Sequence, residues 1–309
     1  MQTSSSLSRK ALLNALHAQA SEYPQGVAAF IREDYRKWSS SALFDVLKKR
    51  GWILDRHSFV AYADSCESPE ELLDLLAAEE SMESEEEDAL FLVLFELWRR
   101  FAGRSQSPEI ICDELDYQIQ AYDEGQQVDD KIEDALNDLV QFIQHETHNI
   151  KEAKELFHFL NQMGAQDLEV FLFDFISDQA AAGAFQYAKE LHSRFQPWVF
   201  RPLWWDFLAV HWSSNEEAIQ LFTHLLRQMN RQKDRELLFE ILHYLSEHTL
   251  AGFFDSFLQI ILREELESGE REELALLIEA YLAHHEGPNQ WQIEILDLLK
   301  QKASSPKTT

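Results

Sequence analysis

From about Asn149 to Lys300 the chain repeats one pattern: a stripe of apolar residues at helical spacing, a polar turn, then the stripe again. No period-two alternation interrupts it, so this half of the chain has only helices with which to cover helices. Ser214-Asn215-Glu216-Glu217 has the form of a capping box, a hydroxyl at the N-cap with a carboxylate three residues later. Ala218, Ile219, Phe222, Leu225, Leu226 and Met229 follow on one face. The stripe restarts with Leu237, Leu238, Ile241, Leu242 and Leu245, again with Phe253, Phe254, Phe257, Leu258, Ile261 and Leu262, and again with Leu274, Leu277, Ile278, Tyr281 and Leu282. Gly287-Pro288 closes that helix, and Trp291, Ile295, Leu296, Leu298 and Leu299 mark a last one. Upstream, Ala153, Leu156, Phe157 and Leu160 stop at Gly164; Leu168, Phe171, Leu172, Phe175 and Ile176 come next, then Phe185, Ala188, Leu191 and Phe195.

Helices of this length joined by short connections favour antiparallel neighbours. Pairs begin near Asn149, Gly183, Ser214, Thr249 and Gly287, an interval of 31 to 38 residues, close to the periods of helical-hairpin solenoids. In spacing the array resembles tetratricopeptide-type repeats. The small residue, Tyr and Ala of that family's pattern are approached once, in Gly183-Ala184-Phe185-Gln186-Tyr187-Ala188. The resemblance implies stacked hairpins forming a superhelix with a concave binding groove. The unequal repeat lengths leave an irregular helical bundle as the other architecture. Either way the fold class is all-α.

The 309 residues suffice to bury a substantial core without covalent staples. Two cysteines, Cys66 and Cys112, make no disulfide framework and fit a reducing compartment. The formal net charge of −28 opposes binding to nucleic-acid phosphates or anionic lipid. Met1 to Lys10 has no apolar core of a secretion signal, and the longest apolar run, Ala89 to Trp98, is too short to span a bilayer and contains Glu96. The sequence therefore reads as cytoplasmic, without membrane contact; its Ser-rich start is also compatible with a specialised secretion route.

Taken in order, residues 1–10 read as a disordered start and 11–78 as an N-terminal helical unit. Within that unit Pro24-Gln25-Gly26 is a break, and Val27, Phe30, Ile31, Tyr35 and Trp38 suggest one helix. Asp55 and Ser68-Pro69-Glu70-Glu71 provide caps. Residues 79–88 read as an acidic linker leading to a helix near Ala89, apolar nearly all round and hence central. Ser107-Pro108-Glu109 opens another helix of an acidic unit spanning 89–148. Between Asp64 and Asp138 stand twenty-four acids and four bases, so most of the charge excess lies there. The array occupies 149–302, and 303–309 is a disordered tail.

Three groupings have a chemical reading. Asp129-Asp130-Lys131-Ile132-Glu133 has the DDxxE form with which terpene synthases hold a magnesium diphosphate, but lacks a second metal motif on a distant helix and reads as an acidic helix start. Glu155 with His158, and Glu240 with His243, are two ExxH pairs such as di-iron carboxylate proteins carry inside a four-helix bundle. Here Glu155 and His158 share a stripe with Lys151 and Gln162, opposite the apolar face, and Glu240 and His243 share one with Glu236 and Glu247. Finally, Trp198, Phe200, Arg201, Trp204, Trp205 and Trp212 concentrate aromatic and cationic surface, either as a junction in the array or as an anchor for a peptide.

These features point to a non-enzymatic scaffold, adaptor or chaperone-like protein without a cofactor. Its expected partner is a basic peptide or helix, engaged at the Trp-rich stretch and at Glu83, Glu85, Glu86, Glu87 and Asp88. The alternatives are a di-metal enzyme built on Glu155, His158, Glu240 and His243, and an acidic mimic of nucleic acid. Oligomeric state and partner identity are not legible.

Overall fold

The computed structural model describes residues 8–22, 28–78, 82–102, 107–126, 129–232, 234–248, 250, 252–285 and 290–303. Among these residues the regular structure is helical throughout, with sixteen α-helices and no strand, so the chain is all-α. The breaks at Pro24-Gln25-Gly26 and Gly287-Pro288, the start 1–7 and the tail 304–309 lie outside the described residues. No described helix is long and apolar enough to cross a membrane.

Internal packing divides the chain into two units: one up to Leu172 with Pro197–Val199, the other Phe173–Gln196 and from Phe200 onward. The first contains α1 (Arg9–Glu22), 3-10 turns at Ala29–Arg32 and Tyr35–Lys37, α2 (Ser40–Lys49), α3 (Arg56–Ala63), α4 (Pro69–Ala77), α5 (Ser84–Phe101), α6 (Pro108–Asp123), α7 (Asp129–Glu146) and α8 (Ile150–Met163). The unit boundary falls inside α9 (Leu168–Ala181).

α5 is the centre of the first unit. Every residue from Leu90 to Trp98 is buried, as its apolar residues on all faces require. α2, α3, α4 and the second 3-10 turn pack around it, bringing Leu43, Leu47, Phe59, Leu72 and Leu73 into one core. The single acid in this run, Glu96, is neutralised locally by Arg99 and Arg100 at 2.7 and 2.6 Å, one turn on. α8 packs on α6 and α7. Residues 149–172 therefore belong with the acidic helices, and not with the array in which their periodicity had placed them.

The second unit contains α10 (Phe185–Phe195), α11 (Pro202–Leu208), a 3-10 turn at Ala209–Trp212, α12 (Asn215–Met229), α13 (Arg235–Glu247), α14 (Phe253–Ile261), α15 (Ser268–His284) and α16 (Gln290–Ala303). α12 contacts α14, and α13 contacts both α14 and α15. Each of these helices meets its next-but-one neighbour, as stacked pairs do. Ser214 and Glu217 form the expected capping box, and Asp234 caps α13 by accepting from the Leu237 amide.

Two local expectations are corrected. Val27 to Trp38 does not make one helix: its described part is two 3-10 turns joined by extended residues. The carbonyls of Tyr35 and Arg36 accept from Arg100 (3.3 and 3.1 Å), and that of Tyr35 also takes the Trp38 amide (3.2 Å), so the segment is tied to a cation on α5 as a short 3-10 turn. Second, α5 begins at Ser84, five residues before Ala89. Glu85, Glu86 and Glu87 form its first turn, where carboxylates suit the N-terminal end of the dipole, so that part of the supposed linker is helix.

Leu94→Ala, at a site with no exposed surface, is expected to lower the unfolding free energy by about 2–5 kcal/mol. Ile53→Ala, at a turn position 82% exposed, is expected to stay within about 0.5 kcal/mol. Urea denaturation followed by Trp fluorescence measures both.

Candidate functional site

α6 carries acids on a face that the fold encloses. α1 packs against one side of the helix, and α7 and α8 against others. Ile111, Cys112, Leu115 and Ile119 are buried, and so are Asp113 and Asp116 between them. Two carboxylates three residues apart share a helix face, and they look into a cleft of about 230 Å³. Lys10, Leu13, Asn14 and His17 of α1, the segment Glu33–Lys37, and Leu92, Phe95 and Glu96 of α5 form its walls. Ala165 and Gln166 line it beyond α8.

Asp113 meets cations from two distant segments. Lys10 Nζ lies 2.6 Å from Oδ1 and Arg36 Nη2 2.7 Å from Oδ2, and Asn14 donates to Oδ1 at 3.1 Å. Arg36 also bonds Glu114 at 2.7 Å and lies 4.0 Å from the Tyr117 ring centroid, over its face. Burial opposes charge on Asp113, but Lys10, Arg36 and Asn14 outweigh it and hold the carboxyl well below the usual range. Asp116 moves the other way. Burial raises it, and amide donors from Ala165 and Gln166 (3.0 Å each) and Asn14 only partly compensate. The Tyr35 hydroxyl is pushed up to about 12, by burial and then by Glu33.

The rim of the cleft is acidic. Glu33 and Glu124 are exposed, and Asp34 engages Lys37 at 3.0 Å. Lining acids (Glu33, Asp34, Glu96, Asp113, Asp116, Glu124) outnumber lining bases (Lys10, Arg36, Lys37) two to one. With Glu96 set aside, since Arg99 and Arg100 neutralise it, the balance is still negative and favours cations over anions.

The residues singled out by sequence are dispersed. Trp198 is buried in the first unit beside Phe157 (6.2 Å between ring centroids). Trp205 is buried in the second, where His192 donates to its carbonyl at 2.9 Å. Trp204 meets Phe173 edge-on at 4.9 Å and donates its indole N–H to Asp234 at 2.8 Å. Trp212 stands against His192. The expectation that Trp198 and Trp205 touch a partner is therefore corrected: each indole is buried in the core of its own unit, which leaves it no surface to offer. Phe200 and Arg201 are exposed, and Arg201 approaches Glu236 at 3.8 Å.

Of the acidic run, Glu83, Glu85 and Glu86 are exposed. Glu86 pairs with Arg50 at 3.4 Å, and Glu87 and Asp88 with Arg9 at 2.9 and 2.6 Å. Residues 79–81 and the side chains of Asp129 and Asp130 lie outside what is described. Glu155 is exposed and 3.7 Å from Lys151, while His158 contacts Gln162; Glu240 and His243 are exposed on the second unit. Among the described residues no three of His, Cys, Asp and Glu are grouped to hold a metal. Cys112 is buried, its thiol pushed far up by burial and then by the neighbouring acids, which makes it a poor nucleophile.

Sequence reasoning missed Asp113 and Asp116. The available signal was a helix with apolar residues on several faces and acids set between them. Their partners, Lys10 and Arg36, are 103 and 77 residues away from Asp113, beyond the reach of any spacing rule. Compared with protein-family models, curated proteins and solved structures, the chain matches none. Fold and site thus define an all-α protein with an acidic, partly enclosed cleft.

Asp113→Asn leaves two poorly paired cations and is expected to destabilise the protein by about 3–5 kcal/mol at pH 7. Because the folded-state carboxyl titrates below its unfolded value of about 3.9, its contribution is complete above that pH and declines as pH falls below it. The stability gap between wild type and D113N is therefore expected to narrow between about pH 4 and pH 2 in acid-urea titrations.

Proposed function

We propose that this chain is a non-enzymatic interaction protein, an adaptor or chaperone-like scaffold of the cytoplasm that binds a basic segment of a protein partner. The observation that carries the reading is the two-to-one excess of acids in the cleft of the first unit. Beside it stand Glu83, Glu85 and Glu86, exposed at the head of α5. A surface of this sign mainly raises association rate and selects partners by charge. The next-but-one helix contacts of the second unit support reading it as a stack of helical hairpins of tetratricopeptide type, a scaffold suited to presenting binding surfaces. Within the Trp-rich stretch, the partner contacts retained are Phe200 and Arg201, whose side chains reach solvent.

A fluorescent helical peptide rich in Lys and Arg is expected to bind the full chain, and its neutral counterpart is not. Raising salt from 50 to 300 mM is expected to weaken binding, and Glu33→Lys with Glu124→Lys to weaken it at least about tenfold, the scale of one or two lost charge contacts. Affinity indifferent to both salt and charge reversal would refute the reading.

A further inference from the structure

α1 is held to the first unit in an unusual manner. Among its described side chains Ala11 and Leu13 are buried, Leu16 is partly buried against the core, and Leu12 is half exposed. Polar contacts add to this small apolar face. Arg9 bonds Glu87 and Asp88, and its guanidinium lies 5.0 Å from the Phe91 ring centroid. Lys10 bonds Asp113, and its ammonium lies 5.1 Å from the Phe95 centroid. Phe91 and Phe95 are one turn apart on α5, with ring centroids 5.8 Å apart. α5 and α6 thus form a groove with two successive cation seats, each an aromatic ring beside carboxylates. Asn14, one turn beyond Lys10, reaches both Asp113 and Asp116.

The occupant is not ideal for the place. Arg9 and Lys10 lie in the first turn of α1, which has no acid there. Cations at that end oppose the helix dipole. A helix offering the same two cations away from its N-terminus fits the seats without that penalty.

Building on the proposed function, we infer that the α5–α6 groove is the docking site of the basic partner, and that α1 is an internal stand-in which the partner displaces. The partner's binding element is an amphipathic helix with two adjacent cations followed by an apolar residue at the place of Leu13. As a tethered competitor, α1 is present at an effective concentration of order millimolar. It therefore weakens binding by weak or uncharged helices and admits those with a stronger basic pair.

The test uses the full chain and a fluorescent peptide with the sequence of α1, extended at its N-terminus by two helical turns of neutral residues. A control peptide has both cations replaced by Ala. The α1 peptide is expected to bind the R9A/K10A chain at least tenfold more tightly than wild type, and the control peptide to bind neither. Hydrogen exchange on the wild-type chain supplies a readout that does not depend on the variant folding: saturating peptide is expected to accelerate exchange of the α1 amides. Salt-sensitive peptide binding that leaves α1 protected, or equal affinity for both chains, overturns the displacement while leaving the proposed function standing. Failure of any basic peptide to bind either chain overturns both.

Discussion

The packing around α6 in the first unit turns on the burial of one carboxylate, Asp113. Removing a carboxylate from water costs several kcal/mol, and even a good ion pair only about balances that loss. Asp113 therefore adds less to net stability than to definition. It draws in Lys10 from the start of the chain and Arg36 from the 3-10 segment. Asn14 then links it to Asp116, whose carboxylate accepts the amides of Ala165 and Gln166. Three segments far apart in sequence are fixed around one face of α6 by groups that each answer another's unmet charge or hydrogen bond.

What was legible beforehand follows from the range of each signal. Ser214 with Glu217 and Asp55 with Ser58 are contacts within one turn, and both form as local patterning suggests. The all-round apolarity of Leu90 to Trp98 identified α5 as the central helix because burial is written into composition at every position. The 3-10 turns around Glu33 were hidden because a partner that holds the segment, Arg100 donating to the Tyr35 and Arg36 carbonyls, lies more than sixty residues away. The Trp-rich stretch misled for a related reason. Composition reports that aromatic area exists, whereas burial of Trp198 and Trp205 depends on which unit each joins.

The acidic excess between Asp64 and Asp138 takes two forms in the folded chain. Part of it is consumed internally: Glu87, Asp88, Asp113 and Glu114 all hold cations of the same chain. Part of it stays exposed, at the rim on Glu124 (beside Glu33 from the N-terminal segment) and at Glu83, Glu85 and Glu86. The internal pairs show which geometry this acidic surface imposes on a basic side chain, with aromatic rings beneath and carboxylates at the side. The rim extends the same attraction into solvent, where screening limits it to about 8 Å at physiological ionic strength.

Asp234 serves two elements at once: one carboxylate oxygen accepts from the Leu237 amide, and the other accepts the indole N–H of Trp204. During synthesis on the ribosome Trp204 emerges thirty residues ahead of its acceptor. Until Asp234 has left the exit tunnel, α11 lacks this anchor and α13 its first-turn cap. One side chain thereby makes the anchoring of α11 and the capping of α13 depend on the same residue.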